Sequence, residues 1–436
     1  MTLLDVCHWT NQFLAIPALI VFLGSGIILT LKTRFVQIRA FPHLITLLKK
    51  GVKHHHQVKN EKTINPFQAV FAAMATTIGM GNIVGPSIAI TTGGPGALFW
   101  LIAYSFFGSV TKFTEVLFAV NMRTRLQDGT IIGGPTQYLK TVSVGLAHWY
   151  AVLTLFLFAG WSGMQANTLA CIFSMESVPR VVTGGVLALF TFIILIGGIK
   201  RIGLLASKLV PLMFVLYLGF ALSILLSDIP ALFSAIALVF RSAFTYQAAA
   251  GGFLGATLLS AMRIGIQRNM HITEAGLGSS SIAHSMTDAD KAPDQAVLAM
   301  FSIICDTTIA FLSGLLVLTT GLWLTTTSFS NTLMYEIFKN YSPGLGKWVL
   351  FICITLFAST TVIGNSFNAS QSYASFFKEK GLKWFYALLA LIIFGGSLMR
   401  VDLIWEMMDI IQVLVAIPHI IGLLILAFRY DKILKI

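Results

Sequence analysis

The stretch Gly79-Met80-Gly81-Asn82-Ile83-Val84-Gly85-Pro86 lies inside an apolar segment, over about residues 67–90, that is long enough to cross a membrane. Glycine weakens a helix by about 1 kcal/mol relative to alanine, and proline by about 3 kcal/mol. Non-helical backbone at membrane depth is tolerated only where it lines a cavity or is buried in protein. The stretch therefore predicts a discontinuous helix at a functional site, with close helix packing through small residues as the alternative.

The composition around this stretch is that of an integral membrane protein. Hydrophobic residues make up 56% of the 436 residues, charged residues make up 11%, and the mean hydropathy is +0.83. An average soluble domain is about 45–50% apolar and about 25% charged. Because no soluble fold could cover so much apolar surface, the excess has to face lipid. The four scattered cysteines predict neither a disulfide framework nor a metal cluster.

Apolar runs recur along the whole chain, and a bilayer core of about 30 Å needs about 20 residues per helix. We predict about eleven spans, over residues 12–33, 67–90, 95–122, 149–174, 181–199, 206–227, 235–263, 294–324, 346–370, 382–399 and 404–428. No Lys or Arg precedes the first run, so a secretory signal is not expected. The chain is thus predicted to be all-α and multi-pass.

Basic residues concentrate in alternate loops, beginning with the charged loop 32–62, which also carries the run His54-His55-His56. By the positive-inside rule this distribution predicts an external N-terminus and a cytoplasmic C-terminus. Arg263, Arg268 and Lys291 fall in one of these predicted inner loops. The net charge of +12 is therefore assigned to membrane orientation, and a nucleic-acid partner is excluded. The histidine run is interpreted as a solvated loop in preference to a metal site.

A second glycine cluster, Gly251-Gly252-Phe253 with Gly255, interrupts the seventh predicted span. If the first helix is set aside, the two interrupted helices open two successive sets of five. This is the inverted-repeat plan of secondary transporters. It predicts an N-terminal helix and loop over 1–64, repeats over 65–228 and 229–428, and a cytoplasmic tail over 429–436. Half-helix N-termini suit a carboxylate and unwound carbonyls suit a small cation, so an amino acid and Na⁺ are the expected guests.

Several further blocks occur in a consistent order from about residue 65 to 428. They are Gly93-Gly94-Pro95-Gly96 with Thr111-Lys112 and Glu115, Gly133-Gly134-Pro135 with Tyr138, and Glu274-Ala275-Gly276-Leu277-Gly278-Ser279 with Ile282-Ala283-His284. Together with the first glycine stretch, they make the chain resemble the alanine/glycine:cation symporter family. The resemblance implies the leucine-transporter-like fold of five plus five helices. It also implies sodium-driven uptake of alanine, glycine or a related amino acid, without a cofactor.

The resemblance also implies two sets of site residues. The substrate-binding set is Gly79, Met80, Gly81, Asn82, Gln165, Asn167, Gly251, Gly252, Phe253 and Asn365. The cation-binding set is Thr76, Thr77, Ser359, Thr360 and Thr361. The coupling ion is expected to be Na⁺, with H⁺ left open. Gln165 and Asn167 could alternatively form hydrogen bonds between helices. The expected location is the plasma membrane (the inner membrane of a bacterium), and the oligomeric state is not predicted.

Three positions depart from the family pattern. Met80 stands where the family has Thr, Asn365 where it has Trp, and Ser370 where it has Glu. Because a large ring and a hydroxyl are both replaced, we expect a roomier and differently polar pocket. These departures bear on the substrate more than on the mechanism. They also leave open an altered substrate, or a sensor or channel that keeps the fold without transport.

Three charged residues within predicted spans are candidates for a functional role. Lys112 and Glu115 lie three apart on one helix, so they share a face, and Asp306 lies in the eighth span. Such groups commonly mark ion pathways. We favour the alternative of an ion pair near a helix end for Lys112 and Glu115, and a helix-end position for Asp306. An intramembrane enzyme is not predicted, because no nucleophile-base or metal motif is present.

Overall fold

The chain folds almost entirely into helices. The computed structural model describes residues 2–53, 63–125, 131–244, 258–288, 291–324, 332–377 and 380–434. Within these residues one small antiparallel ribbon pairs β1 (Thr124–Arg125) with β2 (Ile131–Ile132). All other regular elements are helical and are numbered α1 to α19 in chain order.

Seven helices of the described chain are long and apolar enough to cross a membrane individually. They are α1 (Leu3–Lys32), α6 (Gly96–Asn121), α8 (Val144–Ser174), α10 (Gly198–Ser227), α14 (Ala292–Thr320), α16 (Gly346–Phe377) and α18 (Val401–Arg429). A bent pair, α4 (Pro66–Thr77) and α5 (Met80–Gly93), makes an eighth span with a 42° bend. The total of eleven spans remains a prediction, because the other apolar helices are shorter.

The shorter helices fall into three groups. The apolar ones are α9 (Arg180–Leu195), α11 (Ile229–Phe244) and α17 (Leu382–Leu398). The polar α12 (Leu258–Thr273) and α13 (Ser279–Ser285) lie within the bundle. The rest are α2 (Val36–Arg39), α3 (Phe41–Lys53), α7 (Pro135–Lys140), α15 (Leu333–Tyr341) and α19 (Asp431–Leu434), with a 3-10 turn at Leu322–Leu324.

The outward faces of the spans are apolar. Phe13 on α1, Leu391 on α17 and Val215 on α10 are 78%, 67% and 64% exposed. Contiguous exposed apolar surface on this scale is a liability in water but is matched by lipid. The protein is therefore an all-α integral membrane protein.

Helix α4 has strong start signals and an abrupt end. Asn65 caps it and forms a capping box, in which the Gln68 amide donates to Asn65 Oδ1 (2.7 Å) and the Asn65 amide donates to Gln68 Oε1 (3.1 Å). The helix ends at Ile78, whose ψ of 91° leaves the helical region. Gly79 is extended, and α5 begins at the next residue. The predicted interruption at the first glycine cluster is thus present, and we call Ile78 and Gly79 the first break.

A second unwound segment separates α12 from α13. Glu274, Gly276 and Gly278 all have left-handed backbone, with φ of 55°, 94° and 75°. Only glycine adopts such angles without steric cost, so Gly276 and Gly278 allow the chain to unwind here. We call residues 274–278 the second break. Its first residue is not glycine, and strain of this kind concentrates at functional sites.

The second break corrects one sequence prediction. The sequence analysis interpreted residues 264–291 as an inner loop that includes Arg268 and begins just after Arg263. In the structure, α12 instead lies beside α5 and α6, and α13 packs on α4. The interruption predicted at Gly251, Gly252 and Phe253 falls in residues 245–257, outside the described chain. Polar residues suggested a loop because hydropathy cannot distinguish solvent from a polar protein interior. The repeat boundaries at 65–228 and 229–428 remain predictions.

The two broken helices divide the bundle into two halves. In the α5–α12 half, Gly265 lies so close to α6 that a Cβ there would be 2.4 Å from the Ala97 carbonyl oxygen. In the α4–α13 half, the Ile64 amide donates to the Met286 carbonyl (3.2 Å) and the Asp288 amide donates to the Ile64 carbonyl (3.1 Å). Helix α16 packs on α8, α4 and α5. The end of α4 contacts the second break directly, because Thr76 Oγ1 donates to Glu274 Oε2.

Candidate functional site

The first break exposes backbone groups that three neutral side-chain groups satisfy. The Gly79 amide donates to Asn82 Oδ1 (2.9 Å), and the Met80 amide donates to Gln165 Oε1 on α8 (2.9 Å). Thr361 Oγ1 on α16 donates to the Ile78 carbonyl oxygen (2.9 Å). All three partners are neutral side-chain groups, and all three side chains are buried.

The backbone at this break is approached too closely for a side chain. A Cβ at Gly79 would lie 2.5 Å from Thr361 Oγ1 and 3.0 Å from Gln165 Nε2. One turn further along α16, a Cβ at Gly364 would lie 2.7 Å from Thr76 Cγ2. Glycine at these two positions brings α4, α8 and α16 into contact, which concentrates polar oxygen atoms around the break.

The neighbouring predicted residues face buried carboxylates. Thr76 Oγ1 donates to Glu274 Oε2 of the second break (3.2 Å). Asn82 Nδ2 donates to the Asp306 carbonyl oxygen (3.3 Å) and to Asp306 Oδ1 (3.4 Å). The Thr77 side chain also interacts with Asp306. The end of α4 thus lies between two carboxylates that the sequence analysis did not connect with the site.

Other predicted residues lie apart from the first break. Asn167 Nδ2 donates to the carbonyl oxygens of Gly396 (2.9 Å) and Met399 (2.7 Å), which are contacts of the interhelical type considered as the alternative. Thr360 Oγ1 donates to the Leu356 carbonyl (2.8 Å), within its own helix. Thr360 therefore turns away from Thr361, and the structure does not bring Asn167 to the break.

Three more predicted residues are buried close to this region in the chain. Ser359 is 9% exposed on α16, and Asn365 is 1% exposed, with no hydrogen-bond partner for Oδ1 in the described chain. Gly81 faces α12, where a Cβ would lie 3.1 Å from Cδ2 of His271. Asn365 is thus a buried acceptor without a partner, one turn of α16 beyond Thr361.

The charged residues of the predicted spans are central rather than at helix ends. Lys112, Glu115 and Asp306 are all fully buried, and each lies well inside its helix. Lys112 Nζ donates to Ser302 Oγ (3.0 Å), whereas Glu115 Oε1 accepts the amides of Gly276 (2.8 Å) and Gly278 (3.1 Å). The interpretation of Lys112 and Glu115 as a helix-end ion pair, and of Asp306 as a helix-end residue, was therefore wrong. Hydropathy alone does not locate a polar core.

Glu115 holds the second break together with aromatic residues. Tyr150 donates its hydroxyl to the Leu277 carbonyl (2.7 Å), and His419 Nδ1 lies 2.7 Å from the Gly276 carbonyl oxygen. The Tyr138 hydroxyl lies 2.6 Å from His419 Nε2. All of these groups are fully buried. The second break is therefore held by buried side chains, one of which is a carboxylate that accepts two backbone amides.

A layer of aromatic and charged side chains packs in the α5–α12 half, next to the breaks. The His271 ring lies between Trp161 and Trp405, with both ring-centroid distances at 5.0 Å. Arg268 of α12 forms a buried ion pair with Asp409 of α18. We call these five residues the closing layer. The sequence analysis missed it because Arg268 was assigned to a loop and His271 matched no motif.

The sequence motif around Glu274 was recognised, but its segment was assigned to a loop. The pattern Glu274-Ala275-Gly276-Leu277-Gly278 was recognised as a block, and its two glycines supply the left-handed turns of the second break. Two glycines spaced within a polar segment predict unwound backbone as well as a loop. Together, the two breaks bring helix ends, hydroxyls and carboxylates close to one another. Such a set of groups suits a zwitterion and a monovalent cation.

Comparisons with known proteins support the family resemblance found in the sequence. A family model described as "Sodium:alanine symporter family" matches residues 1–435. The chain is 33% identical to the sodium/alanine symporter AgcS of Methanococcus maripaludis, over 98% of this chain and 95% of that protein. It is 32% identical to a protein of Bacillus subtilis named as a probable sodium/glutamine symporter, GlnT, over 96% of this chain and 87% of that protein.

The fold is also found among solved structures. The crystal structure of MhsT in complex with L-phenylalanine superposes with a TM-score of 0.58, covering 86% of this chain and 90% of that one. The sequence identity is 16%, so the likeness concerns the fold alone. That fold is the leucine-transporter-like arrangement implied by the sequence blocks.

Proposed function

We propose that this chain, which belongs to the sodium:alanine symporter family, is a secondary active transporter that couples sodium entry to uptake of a small neutral amino acid. Alanine and glycine are the amino acids we propose first as substrates. The observation that carries the proposal is the first break, where backbone groups of Ile78 and Met80 are held by neutral side chains that a ligand can replace.

The substrate carboxylate is assigned to the start of α5. The amides of a helix N-terminus attract anions through their unpaired N–H groups and the helix dipole. Gln165 Oε1 now accepts from the Met80 amide and thus stands in for a carboxylate oxygen. On substrate binding the carboxylate takes this amide, and the Gln165 amide group turns to hydrogen-bond the substrate. Gly79 and Gly81 keep the approach open.

The coupling cation is assigned to the other side of the same break. The Ile78 carbonyl oxygen and Thr361 Oγ1 form its centre, and they lie 2.9 Å apart in a hydrogen bond that a cation would replace. Rotation of the Thr361 hydroxyl would direct both oxygens to the ion. Thr77 and Ser359 are the further candidates for oxygen ligands, whereas Thr360 bonds within its own helix. Sodium binding would thereby pin α16 to the first break.

Alternating access then follows from the two halves of the bundle. Helices α4 and α13 are tied by the backbone hydrogen bonds at Ile64, so they move together when their half opens. In the predicted orientation that half faces the cytoplasm. Helices α5 and α12 would open together toward the outside, after the closing layer separates. Sodium and substrate both bind between these halves, so the exchange is coupled.

The identity of the amino acid depends on Met80, Asn365 and Ser370. Asn365 has a buried oxygen without a partner in the described chain, which a polar substrate group could engage. A relative's name includes glutamine, so the family does not restrict the substrate to alanine. The second candidate function is therefore the same fold with an altered substrate, or an amino-acid sensor without transport.

Radiolabelled amino-acid uptake into proteoliposomes tests the proposal. An inward Na⁺ gradient should drive accumulation of one small neutral amino acid above the level of a matched vesicle with equal Na⁺ on both sides. An inward H⁺ gradient without Na⁺ is the control for the coupling ion. Saturable binding without accumulation, in folded protein, would favour the sensor. No binding of any of the twenty amino acids or their common D-forms would contradict the proposal.

A further inference from the structure

Lys112 is a fully buried cation that the proposed transport site does not use. It lies mid-way along α6, and Nζ donates to Ser302 Oγ of α14 (3.0 Å). No described carboxylate pairs with it at contact distance. A charged side chain buried inside a membrane protein is costly unless other charges or polar groups compensate it. Its position therefore needs compensation from charges at longer range.

Three buried carboxylates supply that compensation. Asp306, Glu274 and Glu115 all lie within electrostatic reach of the Lys112 ammonium. Asp306 is one turn beyond Ser302 on the same face of α14, because residues four apart are neighbours on a helix. Glu115 is one turn along α6 from Lys112 itself. The ammonium is thus surrounded by carboxylates from three elements.

The carboxylates differ in how well they are satisfied. Glu115 accepts two backbone amides, and Glu274 accepts the hydroxyls of Thr76 and Ser279. Asp306 has only the long contacts to Asn82 and the interaction with Thr77, and its Oδ2, like Oε2 of Glu115, has no hydrogen-bond partner in the described chain. Unpaired buried charge is strongly unfavourable. Asp306 is therefore the carboxylate that most needs a nearby positive charge.

Without Lys112, Asp306 would sit beside oxygen atoms suited to a monovalent cation. Its free Oδ2, the Thr77 side chain and the carbonyl end of α4 all lie at the unwound helix, where transporters of this fold class hold ions. We propose that Lys112 is a built-in counter-cation for Asp306, so that each cycle carries one sodium ion with the amino acid. Removing the ammonium opens a second sodium site beside Asp306.

This inference rests on the proposed function and is tested by counting ions. Equilibrium binding of ²²Na⁺ to purified protein in detergent gives the number of ions per chain without requiring transport. Wild type should bind about one ion per chain at saturation, and Lys112→Met should bind about two. Lys112→Arg keeps the charge and should stay at about one. Lys112→Met with Asp306→Asn removes both charges and should return to about one.

The outcomes separate the inference from the function. Wild type that binds no sodium overturns both. Wild type that binds one ion, with Lys112→Met also binding one, overturns only the role of Lys112. If Lys112→Met does not fold, Lys112→Gln takes its place in the count, and two ions per wild-type chain contradict a built-in counter-cation in any case. Asp306→Asn alone should keep one ion, and its loss would show that Asp306 itself holds the sodium of the wild type.

Discussion

The two breaks solve the same backbone problem with different partners. The first break spans two residues and is held by neutral groups of Gln165, Asn82 and Thr361. The second spans five residues and is held by the Glu115 carboxylate, with Tyr150 and His419 on the neighbouring carbonyls. Hydrogen bonds to charged groups contribute about 1.5–3 kcal/mol each, against about 1 kcal/mol for neutral ones.

This difference assigns the breaks different tasks. The proposed function assigns ligand binding to the first break, where a carboxylate or a cation would replace neutral partners. It assigns the second break the task of holding the unwound chain in place, because a carboxylate accepts two of its amides. Four predictions test or refine this contrast.

Glu115→Ala should have the largest effect, because it removes the common acceptor of the Gly276 and Gly278 amides. We expect a loss of about 3 kcal/mol or more in stability and loss of sodium-driven uptake. Thermal unfolding of the purified protein measures the first. Glu115→Gln keeps an acceptor oxygen and should lose clearly less. Equal unfolding temperatures for wild type and Glu115→Ala would refute the anchoring role.

Gly79→Ala should come next, because its Cβ would lie 2.5 Å from Thr361 Oγ1. Overpacking costs about 1–3 kcal/mol of stability, so we expect a lower unfolding temperature and reduced uptake. Gly219→Ala on α10 is the matched control, since a Cβ there meets nothing within 4 Å. Comparable uptake by Gly79→Ala and the control would mean that the close approach at this break is not needed.

A pair of single-bond deletions compares the breaks directly. Thr361→Val removes the hydroxyl on the Ile78 carbonyl, and Tyr150→Phe removes the hydroxyl on the Leu277 carbonyl. Each deletion leaves a buried acceptor unpaired, at about 1–3 kcal/mol. Thr361→Val should raise the Na⁺ concentration for half-maximal uptake several-fold, whereas Tyr150→Phe should mainly lower the unfolding temperature. The contrast fails if both variants change Na⁺ dependence equally.

The smallest effect on the overall uptake rate is expected for a double substitution that changes substrate selectivity. Met80→Thr with Asn365→Trp restores the family residues at two pocket positions, and we expect competition by amino acids larger than alanine to weaken a few-fold. One methylene in an apolar pocket is worth about 1–3 kcal/mol, so a ring at position 365 can discriminate on this scale. Inhibition of labelled uptake by a series of unlabelled amino acids measures this. An unchanged order of competitors would show that these positions do not set selectivity.

The sequence was sufficient for the apolar part of the fold. The predicted span over 95–122 corresponds to α6 (Gly96–Asn121), and the predicted interruption at Gly79 is a real end of helix. Both depend on the contrast between lipid-facing apolar residues and helix-breaking glycine. Gln165, Met80, Gly79 and Thr361 also meet as the family resemblance implied. Their roles in binding remain predictions.

The polar interior could not be predicted in the same way. Segment 264–285 carries Arg268, His271 and Glu274, and its hydropathy is that of a loop. Its burial depends on partners from distant segments, such as Asp409 on α18 and Glu115 on α6. A local sequence pattern does not predict which distant residues will contact this segment. The same reason explains why Asp306 and Lys112 were placed at helix ends, although both are central.

The buried ion pair between Arg268 and Asp409 links the proposed opening of the α5–α12 half to the entry of water. Two unit charges 4 Å apart attract by about 1 kcal/mol in water, but by about 4 kcal/mol at an effective dielectric constant of 20. Any separation of α12 from α18 would therefore require water to reach both charges. The free energy of such an opening would include the hydration of this pair, whatever the distance through which the helices move.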